Sequence, residues 1–105
     1  MTSYQVPFRA EAVEQLEELY DFIAAHGSAT NAASFTDAIV SFGETLSDFP
    51  YRGTARDDIR PALRTIGFKR RVIVAYAVLD ETVTIVGIFC GGRDHENLLS
   101  VDDQI

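Results

Sequence analysis

The spacing of apolar positions changes twice along the chain. Tyr4, Val6 and Phe8 alternate with polar or small neighbours, the period of a short first strand, and Pro7 places that strand at an edge or near its end. From Ala10 the period becomes helical: Val13, Leu16, Leu19, Tyr20 and Ile23 line one face, while Glu11, Glu14, Glu17, Glu18 and Asp21 fill much of the remaining circumference. Gly27 supplies a stop. Ser28 or Thr30 then caps a second helix, whose apolar positions Ala32, Phe35, Ile39, Phe42, Leu46 and Phe49 step by three or four until Pro50. The short link makes the two helices an antiparallel hairpin.

Beyond Pro50 the periodicity lapses in a Gly-containing, Arg-rich loop. It resumes as three strands, Ala62 to Phe68, Arg70 to Leu79 and Val83 to Cys90, with Asp80 and Glu81 at the last hairpin turn. A polar tail follows Gly91 and Gly92. Val72, Val74, Tyr76 and Val78 share one strand face, with Ile73, Ala75, Ala77 and Leu79 on the other. Strict alternation in the last strand sets Val83, Ile85 and Phe89 opposite Val86, Ile88 and Cys90. Both faces are apolar, yet a single helical hairpin is on hand to cover them. Either part of one face is left bare for a partner, or curvature and the tail close it.

At 105 residues, with 47% hydrophobic and 24% charged, the chain reads as one globular domain spanning residues 1–105, able to bury about 65% of its unfolded surface. No apolar run is long enough to cross a bilayer, and neither an export signal nor a disulfide framework is suggested by the N-terminus or by the lone Cys90. A cytoplasmic location is expected. The charge is unevenly placed. Seven of the nine bases, Arg52, Arg56, Arg60, Arg64, Lys69, Arg70 and Arg71, fall in one segment against only Asp57 and Asp58, so that segment is +5 and the rest of this −7 chain is −12. General nucleic-acid or lipid binding is disfavoured, leaving a local patch suited to something negative.

The inventory for catalysis is thin. There is no metal-binding motif, nucleotide-binding glycine loop or nucleophile elbow, and no cofactor or metal is expected. His26, at the end of the first helix, reads as an exposed imidazole on terminal carbonyls; His95 follows Gly-Gly-Arg-Asp; Cys90 reads as a buried, inert thiol. Guanidinium groups grip phosphates and carboxylates but do not exchange protons near neutral pH. A nuclease would therefore depend on Lys69, Tyr76, His95 and carboxylates, which form no recognisable acid–base arrangement.

Taken in order, Ala-Glu-Ala-Val-Glu-Gln-Leu-Glu-Glu-Leu-Tyr-Asp-Phe-Ile from residue 10, Leu46 to Pro50 with Gly53, Ile59-Arg60-Pro61-Ala62-Leu63-Arg64, Val72 to Tyr76, and Gly92-Arg93-Asp94 resemble the RelE/ParE family of bacterial type II toxins. The resemblance covers nearly the whole chain. It implies an α+β fold of order β-α-α-β-β-β, with an N-terminal strand and an antiparallel helical hairpin packed on one face of an antiparallel sheet. It implies a hetero-oligomer with a cognate ParD-like antitoxin, which neutralises the toxin by direct binding and lies along its surface.

Within that family the chain looks more like the ParE branch, which inhibits DNA gyrase, than the RelE branch, which cuts messenger RNA on the ribosome. RelE-like nucleases are usually strongly basic and carry a tyrosine or histidine near the C-terminus, whereas Leu98 to Ile105 hold neither. Cys90 and Gly91 also stand where many relatives have His-Gly, so that histidine's role does not carry over. The resemblance then implies target-binding residues Arg64, Arg71, Arg93 and Asp94, with no catalytic residue. In the RelE-like alternative, Arg64, Lys69, Arg71 and Arg93 would bind phosphate during attack by a ribose 2'-hydroxyl. A third reading is a non-toxic remnant that only binds its antitoxin.

Overall fold

The computed structural model describes residues 4–69 and 72–90, with Cys90 described in its backbone only. The readings made for Arg71, the Cys90 thiol, Gly91, Gly92, Arg93, Asp94 and His95 lie outside the described residues. Two helices, α1 (Ala10–His26) and α2 (Ala29–Glu44), lead through a short 3-10 turn (Thr45–Ser47) into strands β1 (Thr54–Ala55), β2 (Leu63–Phe68), β3 (Val72–Leu79) and β4 (Thr82–Cys90). The strands form one antiparallel sheet in the order β1-β2-β3-β4.

The two helices form where the sequence pattern expects them, but α2 stops at Glu44 instead of running on to Pro50, and Val13 and Phe49 of the expected apolar faces are exposed. Ala12, Ala32 and Ile39 are buried, and Glu11, Glu14, Glu17, Glu18 and Asp21 stay in solvent. Between the helices, the Ser28 hydroxyl accepts the Asn31 amide at 3.1 Å, an N-cap that satisfies one orphan donor. His26 Nδ1 donates to the Phe22 carbonyl at 2.8 Å and its ring stacks on Phe22, the terminal role expected of it.

The expected N-terminal strand does not form, so the order is α-α-β-β-β-β rather than β-α-α-β-β-β. Residues 4–9 run parallel to β4 but make only isolated bridges, Gln5 with Thr82 and Phe8 with Ile85. The bonds are Gln5 N to Glu81 O (3.2 Å), Val83 N to Gln5 O (2.7 Å), Ile85 N to Pro7 O (2.9 Å) and Arg9 N to Ile85 O (2.9 Å). The next donor of a continuous parallel ladder would come from residue 7, and proline has none. Alternation correctly marked an extended segment, but Pro7 prevents it from becoming a strand. In compensation, the Arg-rich loop contains β1, whose two residues are both exposed and too short to show a period.

Both central residues of the β3–β4 turn are left-handed, Asp80 at φ 50° and Glu81 at φ 60°, as a tight two-residue hairpin requires. Further along that hairpin the register breaks. Ala75 pairs with Gly87 but Tyr76 pairs with Ile85, so Val86 is an inserted bulge residue. The bulge resets the faces of β4 that strict alternation had assigned. Val83, Ile85 and Ile88 join Val72, Val74, Tyr76 and Val78 in the core beneath Ala12, Ile39 and Leu46, while Val86 and Phe89 turn to the opposite face with Leu63 and Ala75. Gln15 of α1 meets the distal half of the bulged strand, accepting the Ile88 amide at 2.6 Å.

The second face is not bare at these positions. Ala75 is fully buried, Val86 and Phe89 are nearly so, and Ile59 and Ile73 pack against them. Gly87 leaves room for the Phe89 ring, which would lie 2.6 Å from a Cβ at that position. The large apolar side chains left in solvent lie elsewhere: Val13, Phe22, Phe49, Tyr51 and Leu79.

Candidate functional site

The helical run ends earlier than expected, α2 at Glu44 and the 3-10 turn at Ser47; past the buried Pro50 the chain turns back toward β2 through Tyr51, Arg52 and Gly53. Gly53 has φ 78°, and a Cβ there would sit 2.4 Å from the Thr65 carbonyl oxygen, so only glycine permits this approach. Pairing of Thr54 with Thr65 and Ala55 with Arg64 then fastens the loop's exit to the sheet.

Arg64 and Tyr76 lie directly opposite one another on β2 and β3 and so share a face. Arg64 Nε donates to the Arg52 carbonyl at 3.1 Å, and its Nη2 donates to the carbonyls of Tyr51 at 2.7 Å and Gly53 at 3.3 Å. The guanidinium also sits 5.6 Å from the centroid of the Tyr51 ring. The Tyr76 ring is fully buried among valines, and its hydroxyl donates to the same Arg52 carbonyl that Arg64 Nε uses. Burial pushes the Tyr76 phenol above its ordinary pKa, with the nearby Arg64 guanidinium opposing that shift. Tyr4 is raised chiefly through its hydrogen bond with Tyr51.

The other described cations are also engaged. Arg52 lies over Phe42 (5.5 Å), Phe42 stacks on Phe68 (4.7 Å), and Lys69 lies over Phe68 (5.6 Å). Arg56 grips Asp58 through two bonds of 3.0 and 2.9 Å, which holds the Asp58 carboxyl below its ordinary range. Asp57 accepts the amide of Ala62, itself left-handed at φ 66°. The described part of the basic segment is thus largely a set of ties within the chain.

Of the site residues expected from sequence, Arg64 is built into the Tyr51–Gly53 loop. Lys69 follows the far end of β2, about 16 Å away along extended chain, so the two do not converge on one phosphate. The sequence did not disclose Tyr51, Arg52 and Gly53 as Arg64's partners, because backbone carbonyls leave no mark in composition. One signal was present: a tyrosine inside an all-apolar strand needs a partner for its hydroxyl. A separate groove of about 480 Å³ between α1 and α2 has apolar Val13, Leu16 and Val40 beside acidic Glu17, Asp21 and Asp37. Among the described residues no helix is long and apolar enough to cross a membrane.

The family model of the ParE toxin of type II toxin–antitoxin systems, parDE, matches residues 6–95. The chain belongs to the ParE toxin family. No curated protein matches it. The fold of this ParE-family toxin is similar to that in the chromosomal ParDE system of Pseudomonas aeruginosa, with a TM-score of 0.73 and 19% identity over 84% of this chain and 96% of that one. It is also similar to a chain of a RelBE toxin–antitoxin complex from Mycobacterium tuberculosis (TM-score 0.64, 21% identity, 89% and 97% covered). A free double mutant of Escherichia coli RelE gives a TM-score of 0.67 at 15% identity, with 98% and 99% covered. The ParE-family chain is thus the toxin component of a type II system, with a cognate antitoxin as partner.

Proposed function

We propose that this ParE-family toxin acts by binding DNA gyrase and inhibiting it, and that its antitoxin neutralises it by direct contact. The observation that carries this reading is the engagement of Arg64 and Tyr76. The guanidinium that would grip a scissile phosphate is spent on three loop carbonyls, and the phenol that would move a proton is held protonated on one of them. Lys69, the other described cation of the nuclease reading, sits at the opposite end of β2. The net charge of −7 also weighs against a protein that must settle on ribosomal RNA. The contact set proposed for gyrase is Arg71, Arg93 and Asp94, with Arg64 shaping the neighbouring loop.

Purified toxin added to gyrase and relaxed plasmid tests the proposal: supercoiling should fall with toxin concentration. Unaffected supercoiling together with cut ribosome-bound message would transfer the function to the RelE type. Normal growth of a bacterial host making the soluble protein without antitoxin would make it a remnant.

A further inference from the structure

We propose that Arg64 is a positioning residue, and that the loop it holds, Phe49 to Gly53, is a recognition surface for a protein partner presenting carboxylates beside apolar side chains. The identity of that partner as gyrase rests on the reading above; the role of Arg64 does not. The Nε–Nη2 edge of the guanidinium is one of the two that can grip an anion bidentately, and here it faces the carbonyls of Tyr51, Arg52 and Gly53. An anion taking that edge would have to displace all three contacts.

The loop is held from several sides. Arg64 and Tyr76 converge beneath it, Gly53 packs against the Thr65 carbonyl, and β1 joins its exit to β2. A segment pinned in this way loses little conformational freedom when it docks, which favours binding. It nevertheless leaves Phe49 and Tyr51 exposed, at 64% and 63%, beside the exposed Arg52. Tyrosine and arginine are the residue types that carry binding energy at protein interfaces.

Charge selects the partner's chemistry. Among the described residues neither Arg52 nor Arg64 has a carboxylate partner, unlike Arg9 with Glu11 and Arg56 with Asp58. On a chain of net charge −7 this leaves a small positive spot within an acidic field. A nucleic-acid backbone would be repelled by the whole molecule, whereas a carboxylate-bearing protein patch can match the spot locally.

The test uses the full chain and four variants: Arg64→Ala, Arg64→Lys, Tyr51→Ala with Arg52→Ala, and that double variant with Arg64→Ala added. Amide exchange is read at residues 51 to 54, with α1 amides as a folding control, beside gyrase supercoiling inhibition and growth arrest on induction. Arg64→Ala should speed loop exchange at least tenfold while α1 is unchanged, and should weaken inhibition about as much as the double variant. Adding Arg64→Ala to the double variant should weaken it no further. Arg64→Lys should also fail, since an ammonium keeps the charge but cannot span the three carbonyls. Unchanged loop exchange in Arg64→Ala, a loosened loop with full inhibition in Arg64→Lys, or additive losses would overturn the proposal. If the wild type arrests growth without inhibiting gyrase, the gyrase reading falls, and the same variant pattern in growth arrest decides this proposal. A wild type that does neither overturns both.

Discussion

Arg64 and Tyr76, cross-strand neighbours on β2 and β3, donate to a single backbone oxygen, the carbonyl of Arg52. Because that oxygen has two donors, removing one does not orphan it. Tyr76→Phe should therefore cost only about 1 kcal/mol, the ordinary net value of one hydrogen bond, with the ring's burial retained. Chemical denaturation with an unchanged denaturant slope is the check.

The same phenol predicts an alkaline weakness. Its pKa is raised in the fold, so the protonated form is favoured there, and the unfolded chain releases its proton first as pH rises. The stabilisation is whole below pH of about 10, the ordinary tyrosine value, and is lost as pH climbs from there through the raised folded value. Tyr4 is shifted in the same direction and contributes in the same window. Melting temperature should fall above pH of about 10, less steeply in Tyr76→Phe than in the wild type.

Gly53→Ala should be far more damaging than its surface position suggests. A left-handed alanine costs about 1–2 kcal/mol, and overlap with the Thr65 carbonyl adds about 1–3 kcal/mol more. A total near 3 kcal/mol, seen as a lowered denaturation midpoint, is expected. By contrast Glu81→Gly, at φ 60° in an exposed turn, should stabilise by about 1 kcal/mol.

What the sequence disclosed follows from how each feature is encoded. The helices were legible because Leu16 and Leu19 on α1 and Phe35, Ile39 and Phe42 on α2, spaced by three or four, pack on the core, and Ser28 caps α2 where a serine should. The first strand was misread because three alternating residues record an extended path, whereas a ladder also needs a donor at position 7. The faces of β4 were misread at Ile88 and Phe89, past the bulge residue Val86, because a bulge adds one residue without altering the apolar composition. The Arg cluster read as a surface patch suited to something negative, yet Arg64 within it binds backbone oxygens, which every residue carries.

Gln15 offers a check on that bulge. Its side-chain oxygen reaches from α1 to the Ile88 amide, so Gln15→Ala leaves a partly buried donor without this acceptor and should cost about 1–3 kcal/mol. Amide exchange at Ile88 should accelerate beyond the global change.

The central claim is that this ParE-family toxin works by occupying gyrase. The most direct measurement is a supercoiling assay with purified gyrase and relaxed plasmid, run beside ribosomes translating a defined message. The expected result is lost supercoiling with the message intact; undisturbed supercoiling with a cleaved message would contradict it.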